Sequence, residues 1–229
     1  MSLINIFCLG QEIPFYVYNH NEYISDLIRA SQLPYELPFL LYIKRNFPVQ
    51  QEIIDIGANI GNHSLFFAKF LENKCVHAFE PHPSNFELLQ KNLTGQKCQL
   101  YNFALSNFEG ELPLYNIVQD NFGSFTLHNY NNGLNFKVLD SVPLRTLDSF
   151  NLNNITLIKI DVENHENEVL EGAKDTIARN KPIIFVENLF HGNQQLCPNP
   201  HAQTFEKLNY IKRDTNILGG YMDLWVPKS

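Results

Sequence analysis

A carboxylate followed by two glycines four residues apart, Asp55-Ile-Gly57-Ala-Asn59-Ile-Gly61, is the stretch of this chain best suited to hold a ligand. It lies between an apolar run, Ile53, Ile54 and Ile56, and a segment with one broad apolar face, Leu65 to Leu71. Strand, glycine-rich turn and helix in that order open a nucleotide-binding α/β unit. The turn is not the dinucleotide G-x-G-x-x-G, because Ala58 and Asn59 stand where a second glycine would let the backbone approach a pyrophosphate. Asp55 would repel a phosphate but favour a ligand bearing an ammonium and a sulfonium. S-adenosyl-L-methionine fits that description better than NAD or ATP.

A second acidic residue falls one βα unit later. Cys75 to Glu80 predicts a short strand, and a carboxylate at such a strand tip accepts hydrogen bonds from both ribose hydroxyls. A flavodoxin-like domain with a structural glycine turn could show either feature. Their combination at this separation favours the adenosyl ligand.

Two further strands end in acid. Ile155 to Asp161 predicts the fourth core strand, and beyond it comes Val-Glu163-Asn164-His165-Glu166-Asn-Glu168; Pro182 to Asn188 predicts the fifth, with Glu187 at its tip. Methyl transfer from a sulfonium needs an acceptor lone pair held in line and, for a hydroxyl, a group to take the proton. Asp161, Glu163 and His165 are the base candidates, with Glu187 opposite. Glu163 is preferred, since the first residues past a strand tip reach over the pocket. Acids just before a helix are also favourable through the dipole and capping, which accounts for Glu166 and Glu168 equally well. Taken alone, His165 reads as a surface histidine and His63 as a helix-start residue. Lys159, on the same strand face as Asp161, either pairs with a carboxylate or orients one. No H-E-x-x-H, C-x-x-C or calcium-loop spacing is present, so no required metal is expected.

The elements that must position these residues follow from periodicity. Residues 3 to 18 predict a hairpin, and Tyr23 to Ala30 and Leu37 to Lys44 predict helices bounded by prolines. This leader is a cap over the sheet or part of the pocket, with Glu36 a possible pocket residue. Pro81 to Leu93 predicts a helix and Gln99 to Leu105 a third strand, whose Ala104 is small enough for a base to stack on. Ser106 to Tyr115 predicts an inserted hairpin, and Gln119 to Asn135 a long loop of the functional kind. A strand over Phe136 to Leu144 follows, then a helix through Val169 and Ala173 with Gly172 inside it. A loop through Pro198 and Pro200, a helix over Gln203 to Leu208 and a closing hairpin (Ile211 to Thr215, Gly220 to Val226) complete the chain.

The chain has 229 residues, 44% hydrophobic and 18% charged, which suits one α/β domain: a cap over 1–50 and a cofactor-binding core over 51–229. A net charge of −7 disfavours a nucleic-acid partner held by phosphate contacts. Cys8, Cys75, Cys98 and Cys197 are scattered, as reduced thiols of a cytoplasmic protein would be. The first residues lack a basic n-region and a cleavage site, and no apolar run nears the ~20 residues of a membrane span.

Five stretches in order resemble the FkbM-type methyltransferases: Asp55 to His63, Phe79-Glu80-Pro81-His82-Pro83, Leu147-Asp148, Ile158 to Glu163, and Val169-Leu-Glu-Gly172-Ala. The resemblance runs from about residue 52 to 188. It implies a Rossmann-like class I methyltransferase fold, α/β with a seven-stranded, mostly parallel sheet and helices on both faces. It also implies S-adenosyl-L-methionine as cofactor, and a hydroxyl of a sugar, glycolipid or polyketide-type small molecule as acceptor. Residues and resemblance together name Asp55, Gly57, Asn59, Gly61, Asn62, Glu80, Pro81, Ala104 and Asp161 as cofactor contacts. The family usually has glycine after Asp-Val-Glu; Asn164 stands there, which points to an altered turn and a reshaped acceptor pocket.

Two other functions compete. An N-methyltransferase on nucleic acid would carry a polar-Pro-Pro-aromatic tetrad after the fourth strand, where this chain has Asp161-Val-Glu-Asn. A non-catalytic cofactor-binding module would bind the cofactor and be indifferent to loss of Glu163.

Overall fold

The structure, a computed structural model, describes residues 1–19, 22–116, 121–127, 137–188, 201–213 and 221–228, with the backbone alone for 137–140. The predicted loop through Pro198 and Pro200, much of that over Gln119 to Asn135, and Cys197 lie outside the described residues.

An antiparallel hairpin, β1 (Ser2–Cys8) and β2 (Gln11–Val17), leads into helices α1 (Tyr23–Ser31) and α2 (Leu37–Asn46). The core alternates strand and helix: β3 (Glu52–Ile56), α3 (Asn62–Phe70), β4 (Cys75–Phe79), α4 (Pro83–Asn92) and β5 (Cys98–Tyr101). After an excursion, β10 (Ile155–Ile160), α5 (Glu166–Glu171), α6 (Lys174–Asn180) and β11 (Ile183–Glu187) continue it, and α7 (Ala202–Lys207), β12 (Tyr210–Arg213) and β13 (Met222–Pro227) close it. The seven core strands form one sheet in the order β12-β13-β11-β10-β3-β4-β5. Its pairs are parallel except those of β13, which runs antiparallel to both neighbours. That is the class I methyltransferase layout.

Alternation along the strands splits the core into two layers. Ile53, Val76, Ala78, Leu157 and Phe185 pack against α2, α3 and α4, with the hairpin beyond. Ile54, Ile56, Ile158, Ile160, Ile184 and Trp225 pack against α5, α6 and α7. A fully buried Ile or Phe contributes about 1.5–3 kcal/mol, so the near-continuous apolar runs of β3, β10 and β11 are what a sheet covered on both faces requires.

The excursion between β5 and β10 departs from the sequence-based expectation. The third strand stops at Tyr101, and Ala104–Leu105 is a separate strand, β6, of a second sheet in the order β6-β9-β7-β8. Its other members are β7 (Gly110–Asn116), β8 (Phe125–Thr126) and β9 (Lys137–Arg145). No local hairpin forms over Ser106 to Tyr115: β6 pairs parallel to β9, and β7 antiparallel to β9. Long-range pairing has overridden the turn signal at Glu109-Gly110.

Gly172 lies between two helices rather than within one. A β-carbon there would stand 1.9 Å from the Ser106 carbonyl oxygen, so only glycine allows the second sheet's entry strand to approach. Asp148, in the short 3-10 turn Leu147–Phe150, accepts from the Thr176 amide at 2.7 Å and the Asp175 amide at 3.0 Å, capping α6. Two stretches of the family-like pattern are thus structural joints.

Candidate active site

The strand tips open into a cleft of about 960 Å³, its mouth included, within the usual range for a small-molecule site. Gly57, Asn59, Glu80, Pro81, Ala104, Asp161, Glu163, His165 and Glu187 all line it, as does Glu36. Asn62 lines an adjoining side pocket. Asp55 and Gly61 line neither.

The placement of Asp55 has a simple cause. It shares a strand face with Ile53, so it points under α3 rather than off the strand tip. It is fully buried, accepts from Ser64 Oγ at 2.5 Å, and lies 3.2 Å from Lys159 Nζ. Lys159, paired with Asp55 across the adjacent strand, also reaches Asp161 Oδ2 at 3.3 Å and donates to the Gly57 carbonyl at 3.0 Å. One buried ammonium therefore pins the turn to the fourth strand. Gly57 has φ +77°, and a β-carbon on it would sit 1.8 Å from the Asp161 carbonyl oxygen, so geometry and space both demand glycine.

Glu80 is held from both sides. One oxygen accepts from the Asn59 amide at 2.8 Å, the other from the His82 amide at 2.8 Å and Asn85 Nδ2 at 3.5 Å. Burial raises its carboxyl to about 7 against these donors, and each oxygen keeps lone pairs for a diol. Phe103, Ala104, Leu114, Phe122 and Phe125 supply an apolar wall in the same cleft. Sequence reasoning missed Phe103 and Asn85, and found Phe122 and Phe125 only as parts of a loop.

The other side of the cleft is a knot of acids. Single oxygens of Asp161, Glu163 and Glu187 lie within 4.8 Å of one another. Burial works against ionised Asp161, but the Lys159 charge beside it holds it below the ordinary carboxylate range. Burial pushes Glu163 up to about 8, helped by the charges of Asp161 and Glu166. Burial and then Asp161 and Glu163 raise Glu187 well above its usual value. Glu166, 4% exposed, is raised by burial to about 7, and one of its oxygens accepts from the Val162 and Asn164 amides at 3.3 and 3.2 Å.

Those amides belong to the turn that carries Glu163. Glu163 and Asn164 have φ of 54° and 73°, both left-handed. Asn tolerates that region better than most residues, so the turn forms with Asn164 in place of the family's glycine. Thr126 Oγ1, from the second sheet, donates to the Glu163 carbonyl at 2.7 Å. His165 is not at the surface: it is 4% exposed, with Nε2 3.0 Å from Ser106 Oγ and Nδ1 3.7 Å from Glu168. The close approach at Gly172 is what brings Ser106 over it.

A seven-stranded class I sheet with acids at its strand tips and a glycine turn beside them defines the architecture of a methyltransferase. The Methyltransferase FkbM domain matches residues 55–213, and the chain belongs to that family. It is 28% identical over 152 residues to "Methyltransferase 1" of Beauveria bassiana, a match covering 56% of this chain and 61% of that protein. Among solved structures, it is similar to Methyltransferase FkbM of Methylobacillus flagellatus, with a TM-score of 0.55, 16% identity, and coverage of 77% of this chain and 43% of that one. A methyltransferase from Geobacter sulfurreducens gives a TM-score of 0.52 at 12% identity, covering 90% and 86%. The chain thus spans under two thirds of the length of the first two relatives. No helix among the described residues is long and apolar enough to cross a membrane.

Proposed function

We propose that the protein is an S-adenosyl-L-methionine-dependent methyltransferase acting on a hydroxyl of a neutral small molecule or glycan. The reading rests above all on Glu80, a buried carboxylate with both oxygens fixed by donors and lone pairs left for a ribose diol. The residues fit the cofactor. Glu80 would hold the ribose, Phe103, Ala104 and Phe125 the base, and the Gly57–Asn62 turn the other end. The cofactor supplies an activated methyl group when bound.

The chain's own residues do the rest. Glu163, its carboxyl pushed by burial up to about 8, would take a hydroxyl proton once pH has risen far enough to ionise it. Asp161, ionised beside Lys159, keeps negative charge at that end of the cleft. This disfavours phosphorylated or carboxylated acceptors and leaves carboxylates to accept from neighbouring hydroxyls. The aromatic wall keeps water from the opposite end. A reducing cytoplasm suits the free thiols of Cys8, Cys75 and Cys98.

The test is thermal unfolding with and without S-adenosylhomocysteine, for the wild type and Glu80→Ala. Ligand at ~100 times its dissociation constant adds about 2.7 kcal/mol, or roughly 5–11 °C at this size. That shift, absent in the variant, is expected. A folded wild type that does not shift would refute the cofactor. Labelled methyl transfer to neutral glycans and polyols, set against amines, then tests the acceptor class.

A further inference from the structure

Asp55 is sealed beneath α3 and Asp161 is already paired with Lys159, so another carboxylate is better placed to meet the cationic end of the cofactor. The leader supplies one. Asn62, at the start of α3, grips the backbone of Tyr35: its Oδ1 accepts from the Tyr35 amide at 2.9 Å and its Nδ2 donates to the Tyr35 carbonyl at 2.9 Å. The next residue, Glu36, is thereby fixed beside the glycine turn, with φ 56°.

Glu36 occupies the N-cap of α2, yet its side chain makes no capping hydrogen bond. Glu22, at the same position of α1, caps in the ordinary way, accepting from the Ser25 amide at 2.7 Å and the Ile24 amide at 3.2 Å. The Glu36 carboxylate turns instead toward the cleft and His63, with Oε2 3.3 Å from Nε2. His63 is 7% exposed, and its Nε2 has no well-directed hydrogen bond; Asn59 Oδ1, in the same side pocket, is buried and unpartnered as well. Buried polar atoms rarely go unmatched, and two around one pocket mark where ligand atoms belong.

The side pocket shares Gly57, Asn59 and Asp161 with the main cleft but none of Phe103, Phe122 or Phe125. A nucleoside anchored at Glu80, with its base on that wall, would direct its remaining end to where the two pockets meet, at Tyr35, which both share and which Glu36 of the main cleft directly follows. We propose that Glu36 receives the α-ammonium group of the cofactor's amino-acid end, and that His63 behind it positions the carboxylate. This rests on the cofactor assignment above.

Calorimetric titration of the full chain with two probes tests it. S-adenosylhomocysteine carries the amino-acid end; 5′-methylthioadenosine lacks it. Glu36→Gln is expected to weaken the first by about tenfold and leave the second within about twofold, as loss of one charge-assisted contact does. His63→Ala should move the first in the same direction by about threefold. Equal losses for both probes, or no loss, would overturn the assignment to Glu36. A wild type that binds neither probe would instead overturn the cofactor itself, and the proposal with it.

Discussion

Glu80 and Glu163 are the same chemical group, each just past the tip of a parallel strand, and burial raises both, to about 7 and about 8. Their surroundings differ. Glu80 receives donors on both oxygens from the backbone and Asn85, so its position is set before any ligand arrives. Among the described residues no donor reaches the Glu163 carboxylate, and its neighbours Asp161 and Glu187 are acids. The satisfied carboxylate suits holding and the unsatisfied one suits reacting. On the proposed reading, the number of donors on each carboxylate is what separates the binding role of Glu80 from the chemical role of Glu163.

The sharpest way to break this comparison is Glu163→Gln. Turnover should fall by roughly 10²–10⁴-fold, the usual worth of a positioned base, while calorimetry finds affinity for S-adenosylhomocysteine within about twofold of wild type. In the wild type, the rate should climb as pH passes about 8, because the raised carboxyl acts only once its proton is gone. A flat profile would move the base elsewhere. Gly57→Ala attacks the joint between the two regions. A left-handed φ and a 1.8 Å clash with backbone together should cost about 3 kcal/mol, a loss of ~6–12 °C in melting temperature.

Stability of the unliganded protein should fall as pH rises from about 4.5 to about 8. In that window Glu80, Glu166 and Glu163 keep protons in the folded state that the unfolded chain, with ordinary values of 4.5, has released. Denaturant melts at pH 5 and pH 8 measure the slope, and Glu163→Gln should flatten it. The smallest effect is at Thr126. Thr126→Val removes a hydrogen bond worth about 1 kcal/mol from the Glu163 turn and should slow turnover about fivefold, with Thr126→Ser restoring it.

What the sequence made legible was local. Ile53, Ile54 and Ile56 announce a sheet covered on both faces, and Glu80 follows its strand by one residue, so pattern alone located it. The strand alternation that buries Asp55 was equally readable, since it shares the Ile53 face, but the pull of a strand-end acid obscured it. The second sheet was not readable, because β6 and β8 are two residues each and β6 finds its partner across the whole excursion. His165 looked solvated amid a polar run. Its burial depends on Ser106, brought close by a glycine more than sixty residues further along the chain.

The place of β13 in the sheet has a consequence for biosynthesis. It is a middle strand, between β11 and β12, and the last of the seven to be made. As the chain leaves the ribosome, β11 carries an open edge, apolar but for Glu187 at its tip, until β13 arrives. Domains assemble from the N-terminus during synthesis, and an unpaired strand edge of this kind is a template for aggregation. The nascent protein is therefore most in need of a chaperone in the interval after β11 has emerged and before its neighbour has.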